Sequence, residues 1–523
     1  MATLGNLLDE QAHKHRHRVY IIWQEKVVTY AEFGDLTDRY ARAMYDRGIR
    51  KGDRVAIWMP NCLEFAVAYW GNAKIGAITV PLNVMFKAEE AHYILDDARV
   101  KAIVAHSAYE PVISALWQRL PELNVAVITS VADSTSYTRY EDLIQEGANS
   151  LSERGSAGLL FKARVDPAKP AVFLYTAGTT GFPKGATLNH NNLLFDARAC
   201  SKALPIGSGD RLLCCLPLFH SYAQMVFFCL AVVTGARVII LERFAPVPVL
   251  QAIANHKATL FCGVPAMFGA LLHVPREQRP PVTSLRFCVS GAAPLPVEVL
   301  TAFETEYGIP VSEGDGPTEC GPVVSVNPLD GRPRKAGSVG LPLPGVQVKI
   351  FDEHDRELPV DEVGEIVVRG KNVMMGYYNR PDESKEALRG GWFHTGDLGK
   401  IDEDGYIWIV DRKQDMIIVG GHNVYPREIE ELLYMHPKIA EAVVIGVPDP
   451  LRGEAPKAVV VLKEGQEATG SEIMAYLRPQ LANFKLPRSV EFRDSLPKSH
   501  IGKILKRELR AEYLQQPPSH AGD

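Results

Sequence analysis

The sequence predicts an α/β protein of stacked α/β subdomains, with a small β subdomain late in the chain and a compact α+β unit at its C-terminal end. Three observations predict this. Helix and strand signals alternate through the first third; after about residue 335 strand-like runs separated by Gly, Pro and Asp turns take over; and from Pro426 a short helix–strand–strand–helix pattern begins. A chain of 523 residues also exceeds one ordinary core, so more than one domain is expected.

Each element has a local reason. Thr29 and Glu32 form a capping box ahead of Phe33, Leu36, Tyr40 and Met44, whose spacing gives a helix one apolar face, and Gly48 closes it. Apolar runs at 54–58, 77–82 and 102–105, with helical segments between them, carry the βαβ signature, and similar runs recur at 212–216, 237–241 and 286–290. The β subdomain rests on 346–351, 364–369 and 405–410. The last unit rests on a helix over 427–434, strands over 440–447 and 457–462, a helix capped by Thr469 and Glu472, and a final helix from Lys503. The tail 515–523, with two prolines, is expected to be disordered.

Composition excludes several classes of function. A net charge of -5 with no reader motif gives no footprint for nucleic acid. The run His13 to Arg18, alternating His with Lys or Arg, reads as a solvated helix end, because it lacks a metal-ligand geometry. Eight cysteines without a CxxC, mostly in apolar runs, read as reduced core residues of a cytoplasmic protein. Asp9 and Glu10 interrupt any secretory h-region, and the longest apolar run, Met225 to Val233, is far shorter than a bilayer span. Peripheral membrane contact and a homodimer stay open.

The chemistry concentrates in the segment Tyr175 to Gly185, YTAGTTGFPKG, directly after the apolar run Ala171 to Leu174. Glycines let backbone N–H groups approach a polyphosphate, threonine hydroxyls add donors, and Lys184 supplies a point charge. It is not a Walker A loop, since Pro183 replaces the glycine before the lysine and Gly185 replaces the following Ser or Thr. Further motifs follow: LPLFH at 216–220, SGAAPL at 290–295, EGDGPTE at 313–319, GWFHTGD at 391–397, DRKQD at 411–415, VGGHNVYPREIE at 419–430 and LPKSHIGKILKREL at 496–509.

With these motifs in this order, from about residue 10 to about residue 512, the chain resembles the acyl-adenylate-forming enzymes: acyl-CoA synthetases, carrier-loading adenylation domains and luciferases. The resemblance implies an N-terminal domain over 1–411 and a small mobile C-terminal domain over 412–523, pivoting at Gln414. It assigns Thr176, Gly178, Thr179, Thr180, Gly181 and Lys184 to phosphate, with Ala177 standing where serine is usual. Gly291, Ala292 and Ala293 fall beside adenine and the acyl channel, and His220 at its gate. Thr318 contacts phosphate, Glu319 binds Mg²⁺, and Asp397 and Arg412 take the ribose. Gly420 and Gly421 line a pantetheine tunnel, and Lys503 reaches the α-phosphate and the carboxylate. Two positions depart from the pattern: Asp315, followed by Gly316, replaces an adenine-stacking aromatic residue, and Gln414 replaces a charged hinge.

The implied reaction joins a carboxylic acid to CoA with ATP and Mg²⁺, through acyl-AMP and with release of pyrophosphate. The small residues at 291–292 and the apolar run 225–233 point to a medium- or long-chain fatty acid. An aromatic-acid (coumarate- or benzoate-type) CoA ligase, a carrier-protein-loading adenylating enzyme and a non-catalytic acyl- or nucleotide-binding protein are the alternatives.

Overall fold

The computed structural model describes residues 3–130, 136–176, 182–449, 452–499 and 504–514, without the side chains of 156, 163, 164 and 514. Two large sheets organise the N-terminal part. The seven-stranded sheet runs Thr138–Arg139, Val125–Thr129, Val100–His106, Arg54–Trp58, Ile78–Pro81, Pro170–Thr176, Lys184–Asn189; the last pair is antiparallel and the rest are parallel. The nine-stranded sheet has a parallel centre: Val311–Asp315, Phe287–Ser290, Leu260–Gly263, Arg211–Cys214, Arg237–Ile240, Val19–Trp23. Its central strands are buried on both faces, which is why they read as continuous apolar runs rather than alternating ones. One hydrophobic core contacts both sheets, and a second covers the other face of the seven-stranded sheet.

The helix over Tyr30–Asp46 starts with both halves of the Thr29–Glu32 capping box in place. Lys74, fully buried in the helix Leu63–Ile75, pairs with Asp9 at 2.8 Å and Asp38 at 2.6 Å. A buried cation is tolerated only when paired in this way, so Lys74 ties the N-terminal helix Leu4–Lys14 to the core and has no catalytic part.

The β subdomain is an antiparallel sheet of Gln347–Phe351, Gly364–Arg369, Phe393–Ile401 and Ile407–Arg412. Residues from Ile417 to Leu509 then build separate small cores on the two faces of a last sheet, whose long hairpin is Ile439–Asp449 with Gly453–Leu462. The final helix begins at Lys506 instead of Lys503. Ile504 forms a bridge with Lys498, and Leu505 N–H donates to the Pro497 carbonyl, so backbone pairing holds these two residues outside the helix. Lys503 and the expected disordered tail lie outside the described residues. No described helix is long and apolar enough to cross a membrane.

Candidate active site

A cavity of about 1140 Å³ opens where the parallel strands of the nine-stranded sheet end, beside the hairpin Pro170–Thr176 and Lys184–Asn189. Carboxyl ends of parallel strands are where α/β sheets leave space for ligands, because chain direction carries successive loops apart there. Thr176 and Lys184 face each other as the closing pair of the hairpin. Gly178, Thr179, Thr180 and Gly181, expected between them, lie outside the described residues.

Glu319 sits opposite, on the 3₁₀ turn Thr318–Cys320 that follows strand Val311–Asp315, and is buried. Its Oε1 accepts hydrogen bonds from the Thr176 hydroxyl at 2.9 Å and the Tyr377 hydroxyl at 3.0 Å. Burial and the adjacent carboxylate push Tyr377 well above an ordinary phenol, so it remains a protonated donor. Its ring also lies 5.6 Å from Lys184 Nζ. Thr318 and Ser221 share a hydroxyl contact of 3.1 Å. One polar wall therefore gathers two threonine hydroxyls, a carboxylate and a lysine. Tyr377 and Ser221 escaped the sequence reading because contacts spanning 58 and 97 residues leave no local periodic signal.

Gly316 is required by packing: a Cβ there would lie 2.0 Å from the Pro322 carbonyl oxygen. That crowding brings the loop of Asp315 against the cavity, which Asp315 and Gly316 both line. On the neighbouring strand end Gly291 and Ala292 line the cavity; Ala293 does not. Ala292 holds a left-handed φ of 69°, and the segment is anchored where Leu295 N–H donates to buried Glu313 at 2.9 Å. Burial raises the Glu313 carboxyl to about 7.

His220 lines the cavity and caps the short helix Ser221–Ala223, its Nδ1 accepting from Tyr222 N–H at 3.2 Å. The expected apolar segment continues from it as a π-helix, Gln224–Leu230, a winding found mostly at functional sites. Met225, Val226 and Leu230 from it, with Leu204, Ile206 and Leu260, give the cavity a deep apolar arm.

Asp397 and Arg412 are cross-strand partners, paired at 3.0 Å. Arg412 lines the cavity with buried Asp397 behind it, and the Asp397 charge is the main cause that raises the arginine's pKa. Gln414 also lines the cavity. Its turn is clamped by Arg510 of the last helix, which donates to the Gln414 carbonyl at 3.0 Å and pairs with Asp415 at 3.1 Å. Gly420 and Gly421 do not line the cavity. They form the two-residue turn between Ile417–Val419 and His422–Val424, both with positive φ (55° and 85°), a conformation that favours glycine on backbone grounds alone.

The description "AMP-binding enzyme" matches residues 8–378, and "AMP-binding enzyme C-terminal domain" matches 428–503. The chain belongs to the AMP-binding enzyme family. Among relatives of this family, a long-chain-fatty-acid–CoA ligase of Bacillus subtilis (strain 168) is 38% identical, across 98% of this chain and 95% of that one. A feruloyl-CoA synthase of Amycolatopsis sp is 35% identical, across 98% and 99%. The solved structure of ATP-bound MatB from Rhodopseudomonas palustris superposes with a TM-score of 0.89 at 32% identity, covering 98% and 99%. The expected fold class agrees with these neighbours of the AMP-binding family.

Proposed function

We propose that this AMP-forming acyl-CoA ligase activates a medium- or long-chain fatty acid. The observation that carries the substrate is the deep arm of the cavity, walled by Leu204, Ile206, Met225, Val226, Leu230 and Leu260 and continuous with the polar wall of Thr176, Lys184, Thr318 and Glu319. An apolar chain is favoured there because each buried methylene contributes about 0.8 kcal/mol. A volume of about 1140 Å³ exceeds the usual range for one small molecule, as a site for a nucleotide and an acyl chain together requires.

In the first half-reaction the acid's carboxylate oxygen attacks the α-phosphorus of ATP, and pyrophosphate leaves. Two anions must meet, so the residues' task is charge neutralisation by preorganised groups. Lys184 and the Thr176 and Thr318 hydroxyls serve the phosphates, Lys503 the α-phosphate and carboxylate, Asp397 and Arg412 the ribose, and His220 the entry of the acid. Among the described residues no group of three or more His, Cys, Asp or Glu is arranged to hold a metal. A lone carboxylate beside phosphate oxygens still fits Mg²⁺, which binds through one or two carboxylates plus substrate and water. Glu319 would hold it there, and the ion would screen the phosphate charge. In the second half-reaction the CoA thiolate attacks the acyl carbon and AMP leaves. That step needs other groups at the same atom, so domain 412–523 turns at Gln414 against domain 1–411, carrying Lys503 away and Gly420 and Gly421 in. Cavity-lining Ser499 and the Lys498–Ile504 bridge, which bracket Lys503 in sequence, support its assignment to the first half-reaction.

The test is AMP and pyrophosphate release with ATP and Mg²⁺ across acids from acetate to oleate and several aromatic acids, with and without CoA. CoA-dependent AMP formation that peaks on medium- or long-chain acids is expected, and Lys503→Gln abolishes pyrophosphate release. A peak on an aromatic acid, or pyrophosphate release that CoA leaves unchanged, overturns the assignment.

A further inference from the structure

The helix Ala88–Asp97 contributes nothing to the cavity wall, yet its last turns grip the hairpin that carries Thr176 and Lys184. Tyr93 and Asp97 stand four residues apart and share one face of the helix. From that face the Tyr93 hydroxyl donates to the Pro183 carbonyl at 3.1 Å, and Asp97 Oδ2 accepts from the Tyr175 hydroxyl at 2.6 Å. Pro183 precedes Lys184 and Tyr175 precedes Thr176, so each strand of the hairpin is held immediately beside its phosphate-facing residue. The Tyr93 ring also stacks on Phe182 with centroids 5.2 Å apart. Tyr175 lies across its cross-strand partner Gly185, where a Cβ would come within 3.1 Å of the phenol ring.

Arg380 closes the cluster. It pairs with Asp97 at 2.8 Å and donates to the Tyr93 hydroxyl at 3.3 Å. Three residues earlier the same segment presents Tyr377, the hydroxyl donor to Glu319. That segment is joined to the hairpin by a bridge between Ala186 and Tyr377, and by Tyr378 N–H donating to the Gly185 carbonyl at 2.8 Å. Thr176, Lys184 and Tyr377 therefore all lie within three residues of a group that this one helix end holds.

Two observations separate the cluster from ordinary helix packing. A carboxylate in the last turn faces the negative end of the helix dipole, and that turn carries no basic residue of its own, so Asp97 is charged there at a cost to its helix. Its compensation comes from Arg380, which belongs to the Tyr377 segment. Tyr93, Asp97 and Arg380 also do not line the cavity, so any effect they have on the reaction passes through the hairpin and Tyr377.

We propose that Asp97, Tyr93 and Arg380 are positioning residues for the first half-reaction, fixing where Lys184 and Thr176 meet the phosphates of ATP opposite Glu319. The proposal rests on the phosphate role given to Lys184 and Thr176 above. A cation or hydroxyl stabilises developing charge only when it is already in place, and anchoring both strands to one helix end supplies that placement. Two of the three phosphates leave as pyrophosphate, so loss of the anchor slows adenylation and spares acyl transfer to CoA.

The test uses Tyr93→Phe, which removes one hydroxyl and keeps the ring against Phe182, and Asp97→Asn, which keeps the shape and removes the charge opposite Arg380. Single-turnover pyrophosphate release and the KM for ATP are compared with acyl transfer from preformed acyl-adenylate to CoA, with the melting temperature as a control for folding. Pyrophosphate release should fall roughly 3-fold for Tyr93→Phe and roughly 10-fold for Asp97→Asn, as expected for a neutral and a charged hydrogen bond. The KM for ATP should rise, while acyl transfer changes less than about two-fold. In a Lys184→Ala background Asp97→Asn should lose most of its effect, because a positioning residue matters only while the group it positions is present. Equal falls in both half-reactions, unchanged pyrophosphate release in both variants, or effects of Asp97→Asn and Lys184→Ala that simply multiply would overturn the proposal. A Lys184→Ala protein that releases pyrophosphate at the parent rate would instead overturn the phosphate role on which it rests.

Discussion

Tyr377→Phe tests how Glu319 is held. The substitution removes one hydroxyl and keeps the ring 5.6 Å from Lys184, so it isolates the 3.0 Å bond to Glu319 Oε1. A hydrogen bond to a charged group is worth about 1.5–3 kcal/mol. Glu319 is buried, yet the same oxygen keeps its 2.9 Å bond from Thr176, so the lower part of that range applies. At about 1.5–2 kcal/mol the carboxylate loses its orientation, and pyrophosphate release slows by roughly 10–30-fold. The assay compares single-turnover pyrophosphate release with AMP release from preformed acyl-adenylate and CoA. The first falls and the second changes less than about two-fold, with the melting temperature recorded as a control for folding. Because Thr176 and Tyr377 bond the same oxygen, Thr176→Val with Tyr377→Phe should cost less or more than the sum of the single effects. Unchanged adenylation, or an equal fall in both half-reactions, refutes the reasoning.

Three further outcomes follow from particular contacts. Gly316→Ala drives a Cβ to 2.0 Å from the Pro322 carbonyl oxygen and should cost at least about 2 kcal/mol in chemical denaturation; a stable variant would mean that the loop shifts freely. Glu313 has a folded pKa of about 7, above the unfolded value near 4.5, so the native state holds the extra proton and stability falls as pH rises from about 4.5 to 7. Glu313→Gln should therefore gain up to roughly 3 kcal/mol relative to the parent across that window, measured by denaturation at pH 5 and pH 8; a constant difference between the two proteins would contradict the burial argument. Ile206→Trp fills the deep end of the acyl arm and should raise KM for oleate by at least about ten-fold while leaving octanoate within two-fold; equal effects on both acids would place the chain elsewhere.

Much of the architecture is legible in local pattern, because it rests on interactions a few residues long. The Thr29–Glu32 box starts the helix that it predicts, and the apolar runs at 54–58, 237–241 and 286–290 become buried strands, because a strand covered on both faces must be apolar throughout. The two-glycine turn at 420–421 is equally local. The phosphate-loop composition is equally local, and the described residues at its two ends, Thr176 and Lys184, pair across antiparallel strands.

Tertiary structure decided everything that depends on meetings at long range. Tyr377 reaches Glu319, Ser221 reaches Thr318, and Arg510 grips the turn at Gln414 across 96 residues; none of these leaves a periodic trace. The helix at the C-terminal end starts three residues later than its sequence suggests, because Ile504 and Leu505 pair with Lys498 and Pro497, and a backbone group engaged in a bridge is withheld from a helix. By itself the sequence determined the elements and the chemical character of the site, since both are written in neighbouring residues; the distances that make a carboxylate or a channel effective belong to the packing of segments far apart in the chain.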